Sequence, residues 1–218
     1  MRYKDCSHNV YIKKGKRNGK QRFKCKLCAK SFQLEYSYLA YKSDINKLIK
    51  CLLKEGCGIR SIARILNIST KTVLSRILKI SKRIKPPVFQ GTGNNYEVDE
   101  LWSFVRNKKN VIWITYAIER ETSKVMGFYV GSKTKLTIKS LIDKLVSLQP
   151  KKIYTDKLNI YPCLVPKSIH KVFKYCTNKI ERMNLTLRTH IKRLGRRTIC
   201  FSKSKAILKA HLRIYFLG

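Results

Sequence analysis

The stretch YEVDELWSF at residues 96–104, with NVIWITYAIE at 110–119 and KVMGFYVG at 124–131, decides the fold. Each run is rich in β-branched and aromatic residues and reads as a strand. Residues 120–123 make a turn, so the three strands are expected to form an antiparallel meander. The pattern then changes period. In KLTIKSLIDKLVSL (135–148) the apolar residues Leu136, Ile138, Leu141, Ile142, Leu145 and Leu148 fall at helical spacing, and Pro150 ends the helix. KKIYTD (151–156) and HKVFKYC (170–176) read as two further strands. From Asn178 the chain reads as helical, with a break near Gly195.

Three strands, a helix, two strands and a closing helix make a ribonuclease H-like order, an α/β class with a mixed sheet and helices. That domain is expected over residues 96–218. Toward the N-terminus, Pro86-Pro87 and Gly91-Thr92-Gly93 mark a linker over 85–95. Residues 43–84 carry helical periodicity. DINKLIKCLLKEG (44–56) is a first helix and GIRSIARILNI (58–68) contains a second. Ser69 caps a third, from Thr70 to about Ile80. Two short helices across a tight turn at Asn67-Ile68 are a helix-turn-helix signature. The outward residues of the third helix, Thr70, Lys71, Thr72, Ser75, Arg76 and Lys79, would then face a DNA major groove. A plain three-helix bundle with a solvated face is the alternative.

Residues 1–36 are basic and Cys-bearing. Cys25 and Cys28 form a C-x-x-C knuckle, and Cys6 and His8 are the remaining ligands for a zinc-ribbon-like site. A decayed knuckle that holds no metal stays open beside it. Lys13, Lys14, Lys16, Arg17, Lys20 and Arg22 lie between the two halves of that site, as a basic loop suited to phosphate.

The 218 residues carry 49 Lys+Arg against 12 Asp+Glu, a formal net charge of +37. Self-repulsion on that scale calls for a polyanionic partner, and double-stranded DNA leads. With 44% apolar residues the chain can bury a core. No apolar run spans a bilayer and no signal-peptide core is present, so no membrane partner and a cytoplasmic location are expected. Most of the eight Cys are then thiols or metal ligands rather than disulfides.

Scarcity makes each acid informative. From Lys144 to the C-terminus only Asp156 and Glu181 occur, one ending a short strand and one near the start of the closing helix. Asp99 lies within the first strand. Hard carboxylate oxygens at these three places would suit a pair of Mg²⁺ ions working on phosphodiesters. Ion pairing with the many Lys is the alternative. Glu97 shares the Asp99 face of its strand, and Glu100 points to the other.

The stretch NKIERMNLTLRTHIKRLGRRTICFSKS (178–204) closely resembles the closing segment of transposases of the insertion sequence one (IS-one) family. EVDELWSFV (97–105) and IYTDKLNIY (153–161) resemble its two Asp motifs, and GKQRFKCKLCAKSFQ (19–33) its second zinc knuckle. The resemblance covers nearly the whole chain. It implies a DDE transposase with Asp99, Asp156 and Glu181 as a catalytic triad binding Mg²⁺ or Mn²⁺, and it implies one zinc ion. Asn184, Arg188, Arg193, Arg196 and Arg197 match the family's basic signature and are expected to bind DNA. Glu181, Asn184 and Arg188 share one helix face. Tyr3 departs from the family, standing where its first zinc Cys is found.

The expected activity is binding of terminal inverted repeats, Mg²⁺-dependent cleavage at the element end, and transfer of the freed 3′-hydroxyl to target DNA by a homo-oligomer. Two rivals remain at this level: a catalytically inactive DNA-binding regulator of the element, and a ribonuclease H-like nuclease that does not join strands.

Overall fold

The three long apolar runs form the first half of a five-stranded mixed sheet. In the computed structural model β4 (Asn95–Val105) pairs antiparallel with β5 (Asn107–Glu119), and β5 pairs antiparallel with β6 (Val125–Gly131). β4 also pairs in parallel with β7 (Lys152–Tyr154), and β7 in parallel with β8 (His170–Lys171). The strand order is β6-β5-β4-β7-β8. β4, at the centre, is nearly continuously buried, as a strand covered on both faces must be.

The structure describes residues 8–34, 36–85 and 92–218. The chain divides into two compact units, Met1–Ile45 and Asn46–Gly218. Pro86, Pro87 and Gly91 of the expected linker lie outside the described residues, as do Tyr3 and Cys6.

In the larger unit each sheet face has its own core. On one face Tyr96, Val98, Ala117 and Ile153 pack against Ile138, Leu141, Ile142 and Leu145 of α4 (Lys135–Val146). On the other, Leu101, Ile114, Tyr116 and Ile118 pack against Ile180 and Leu187 of α5 (Asn178–His190) and Leu208 and Leu212 of α6 (Lys205–Leu217). Alternate β4 residues serve opposite faces, as the two-residue strand period requires. α4 starts with a capping box between Thr134 and Thr137, which satisfies its first backbone donors. Leu136, at the α4 N-terminus, is exposed rather than part of the apolar face. HKVFKYC is a strand only at His170–Lys171, and residues 172–175 are exposed. The composition there favours a strand, yet among the described residues no strand pairs with it beyond Lys171, and the segment turns outward.

Three helices precede the sheet: α1 (Ile45–Lys54), α2 (Ile59–Ile65) and α3 (Thr70–Arg83). Ser69 Oγ accepts from the Thr72 N–H at 3.1 Å and caps α3. Ile62, Val73 and Ile77 are fully buried, and α3 packs against α6. These helices therefore belong to the same unit as the sheet. Gly56, with φ +75°, ends α1 where a Cβ would lie 2.6 Å from the His190 carbonyl oxygen of α5.

The smaller unit is a three-stranded antiparallel sheet of β1 (Tyr11–Arg17), β2 (Lys20–Cys25) and β3 (Ser31–Gln33). Asn18 and Gly19 turn the first hairpin with positive φ at both positions, the geometry an Asn-Gly pair favours. Tyr11, Phe23 and Phe32 form a small aromatic cluster on it. The six basic residues expected in a loop, Lys13, Lys14, Lys16, Arg17, Lys20 and Arg22, all lie on this hairpin's strands.

Candidate active site

The β4–β7 register brings two of the expected acids together. Tyr96 pairs with Ile153 and Glu97 with Tyr154. Two residues further on stand Asp99, still on β4, and Asp156, just past the end of β7. Pairing has ended by then, so the β4 edge beyond Glu97 is open. Asp99, Glu100 and Asp156 each place a carboxylate oxygen there, all within 4.8 Å of one another. Asp156 is exposed, and its Oδ1 accepts from the Leu158 N–H at 3.0 Å.

Glu100 is a member that sequence alternation had turned away. It faces the α4 side of the sheet, yet its carboxylate reaches the open edge. It is buried, accepts a hydrogen bond from the Tyr161 hydroxyl, and faces Lys133 Nζ at 3.1 Å. Lys133 in turn sits 4.6 Å above the Trp113 ring.

Asp99 is held from both sides. Its Oδ1 accepts from the Glu100 N–H at 2.7 Å and its Oδ2 from Asn184 Nδ2 at 2.6 Å. Asn184 Oδ1 accepts from the Tyr116 hydroxyl at 2.8 Å, and that hydroxyl also lies 3.2 Å from the Ile180 carbonyl oxygen. Tyr116 is the cross-strand partner of Asp99 on β5 and is fully buried. With the Tyr116 hydroxyl at its oxygen and the Asp99 carboxylate at its nitrogen, the Asn184 amide is held at both ends. Burial pushes the Asp99 carboxyl up to about 6; the charges of Glu100 and Asp156 push the same way, against the two hydrogen bonds.

Glu97 joins the same helix to the sheet. It is fully buried, accepts from the Ile180 N–H at 2.9 Å through Oε2, and faces Arg120 Nε at 3.3 Å through Oε1. Arg120 lies 4.2 Å over the Tyr154 ring of β7. Burial raises the Glu97 carboxyl above its usual range.

Glu181 does not join the carboxylate group. It is exposed in the first turn of α5 and accepts from Thr177 Oγ1 at 2.9 Å. With Lys179, Arg182 and Thr186 it lines an open groove along α5. Asn184, one turn on, is the α5 residue that touches Asp99.

The basic signature separates in space. Arg188 donates to the carbonyls of Leu194 at 2.9 Å and Trp102 at 3.4 Å, and Arg193 donates to Ser202 Oγ at 3.3 Å. Burial lowers the pKa of both guanidinium groups. Arg196 and Arg197 are exposed, as are Thr70, Lys71, Ser75 and Lys79 of α3, while Thr72 and Arg76 are half-buried.

In the smaller unit His8, Cys25 and Cys28 bring one ligand atom each within 4.8 Å of one another. Cys25 Sγ lies 3.6 Å from His8 Nδ1. Hydrogen bonding to Cys28 and then Cys25 raises the His8 pKa. Cys6, the fourth expected ligand, is outside the described residues.

The two groups suit different ions. Three carboxylate oxygens within 4.8 Å of one another have the charge and hardness for Mg²⁺ or Mn²⁺. Two thiols and an imidazole suit zinc. No helix among the described residues is long and apolar enough to cross a membrane.

Residues 95–216 match the family described as IS1 transposase. The chain is 42% identical over 111 residues to the insertion element iso-IS1n protein InsB of Shigella dysenteriae, covering 51% of this chain and 85% of that protein. It is 35% identical over 108 residues to the insertion element IS1 protein InsB of Shigella flexneri, covering 50% and 82%. A chain from the simian T-cell lymphotropic virus intasome, solved in complex with PP2A regulatory subunit B56 gamma, matches with a TM-score of 0.38 and 14% identity. That match covers 75% of this chain and 66% of the viral one, and so slight a likeness carries no weight. The family match takes in more than half of the residues, including β4, β7 and α5 with all their acids: the chain belongs to the IS1 transposase family.

Proposed function

We propose that the chain is a DDE-type transposase that binds the terminal inverted repeats of its element, cleaves DNA at the element end and joins the freed 3′-hydroxyl to target DNA. The observation that carries this is the meeting of Asp99 and Asp156 at the open β4 edge, with Glu100 within 4.8 Å of both. The strand order β6-β5-β4-β7-β8, with helices on both faces, supports a ribonuclease H-like domain.

Asp99, Asp156 and Glu181 are the proposed ligands for Mg²⁺ or Mn²⁺, with Glu100 as a further carboxylate beside them. Divalent ions bound there supply the charge that activates an attacking oxygen and stabilises a leaving one. The protein's part is to fix Asp99 through Asn184, Tyr116 and the Glu100 N–H, and to carry Glu181 on the same α5 face. Arg196 and Arg197 are proposed to bind DNA phosphates. Arg188 and Arg193 brace the segment that presents them.

For end recognition, α2, the turn at Asn67 and α3 are read as a helix-turn-helix, with Thr70, Lys71, Ser75 and Lys79 toward the groove. The hairpin of the smaller unit is read as part of a zinc-ribbon-like module held by Cys6, His8, Cys25 and Cys28. Pairwise processing of two ends calls for at least a dimer on DNA, in the cytoplasm.

Asp156→Asn tests the assignment, because Asp156 is exposed and its loss spares the core. With Mg²⁺ and a duplex carrying the element's ends, cleavage should fall by about a thousandfold, the several kcal/mol that metal-assisted charge stabilisation provides, while end binding persists. Undiminished cleavage would exclude these ligands. Strand transfer from pre-cut ends separates a transposase from a nuclease that only cuts.

A further inference from the structure

Beside the carboxylates runs a turn with no role in the account so far. Residues 171–175, KVFKY, are all exposed, with Phe173 54% and Tyr175 65% accessible. Exposed aromatics on a mobile loop would mean little, but this turn is anchored. The Thr155 N–H donates to the Lys171 carbonyl at 3.3 Å, and Cys176 Sγ donates to the Thr155 carbonyl at 3.4 Å. His170 Nε2 lies 2.8 Å from Thr155 Oγ1. Both ends of the turn are therefore tied to the buried residue immediately before Asp156. Phe173 packs edge-on to Tyr154, ring centroids 6.1 Å apart, and Lys174 Nζ lies 4.8 Å from the Tyr175 ring. Tyr175 has φ +65°, an unfavourable conformation for a non-glycine residue.

Resting on the reading of the chain as a DNA strand-cutting enzyme, we propose that Phe173 and Tyr175 form a stacking ridge for unpaired nucleobases of the strand under attack, with Lys171 and Lys174 taking the flanking phosphates. The chemistry of the turn selects that occupant. No acid occurs between Asp156 and Glu181, and the turn itself carries two cations, Lys171 and Lys174. Lysines alternate with the apolar residues, whereas the cores of protein–protein interfaces are depleted of Lys. Aromatic faces set among cations are the arrangement that holds single-stranded nucleic acid, since every base offers a π-face. Paired bases keep their faces inside the helix. A ridge fixed to the neighbour of Asp156 meets bases where the duplex opens for cutting.

The full chain is titrated with two DNA probes of one sequence, one ending in an unpaired 3′ overhang containing 2-aminopurine and one fully paired. The overhang should bind about tenfold more tightly, with quenched fluorescence, as stacking of one base provides. Tyr175→Ala and Phe173→Ala should each remove most of that preference and leave the paired probe unchanged. Phe173→Leu, which keeps bulk against Tyr154, should lose it too. Variants that keep the full preference, or that weaken both probes equally, would overturn the ridge. So would an oligomer that dissociates when the two aromatics are removed. Mg²⁺-dependent cleavage, followed in the same samples on element-end DNA, keeps the two readings apart. Cleavage without quenching removes the ridge alone, and quenching without cleavage removes the enzymatic assignment alone.

Discussion

The two candidate metal groups are built in opposite ways. Asp99 and Glu100 stand on a sheet buried on both faces, with Asp156 just past the end of β7, and Asp99 is held by hydrogen bonds from Asn184 and the Glu100 backbone. Cys25 ends β2, with His8 ahead of β1 and Cys28 in the turn beyond, on a sheet whose first strand is exposed along its whole length. Packing and hydrogen bonds fix Asp99 and Glu100 before any ion arrives. The second group sits in a unit whose described residues pack mainly through small aromatic clusters, Tyr11 with Phe23 and Phe32 and Tyr41 with Tyr36 and Tyr38, and small units of that kind rely on a staple. One metal is thus expected to act on substrate, the other to hold a fold.

Chelation at His8, Cys25 and Cys28 should give the largest contrast. Both Trp residues, Trp102 and Trp113, belong to the larger unit, so their fluorescence reports on that unit alone. A thiol-directed chelator, or Cys28→Ser, should abolish protease resistance around Lys20 and Arg22 while the Trp-monitored unfolding transition stays put. A hairpin that survives chelation would break the comparison.

Gly56→Ala probes the packing side. The new Cβ would meet the His190 carbonyl at 2.6 Å, and φ is positive there. Both effects strain the junction of α1 and α5, and chemical denaturation followed by Trp fluorescence should show a loss of about 2–3 kcal/mol. Unchanged stability would mean that α5 is not braced by α1.

A smaller effect is expected from Tyr116→Phe, which deletes one buried hydroxyl and frees the Asn184 amide to turn. Stability should fall by about 1 kcal/mol. Mn²⁺ affinity should fall a few-fold even though residue 116 contacts no ion. An unaltered affinity would reduce the Tyr116–Asn184–Asp99 chain to core packing.

Much of this architecture was legible from period alone. Runs of Val, Ile, Trp and Tyr gave β4, β5 and β6, and helical spacing gave α4 with its buried Ile138, Leu141, Ile142 and Leu145. Residues 172–175 read as strand because Val, Phe and Tyr favour strands, and composition does not reveal whether a partner strand exists. Glu100 was hidden by alternation: the rule places it on the far face, and only the early end of β7 lets its carboxylate reach Asp99. Asn184 carried the right helix face but a different neighbour. Its contact with Asp99 depends on how α5 docks on β4, a tertiary fact that no local pattern holds. Tyr116 gave no signal at all within an apolar strand.

The most direct test is Mn²⁺ binding to the whole chain as a function of pH, for the native sequence and for Asp156→Asn. With its folded value raised to about 6, Asp99 keeps a proton that the unfolded chain has already lost between roughly pH 4 and 6. Without metal, its contribution to stability is therefore present at low pH and is lost as pH rises through about 6. Mn²⁺ must displace that same proton, so affinity should rise up to about pH 6 and then level off, and Asp156→Asn should weaken it at every pH. Equal Mn²⁺ affinity in the variant, or binding indifferent to pH across that window, would contradict a metal centre built on these carboxylates.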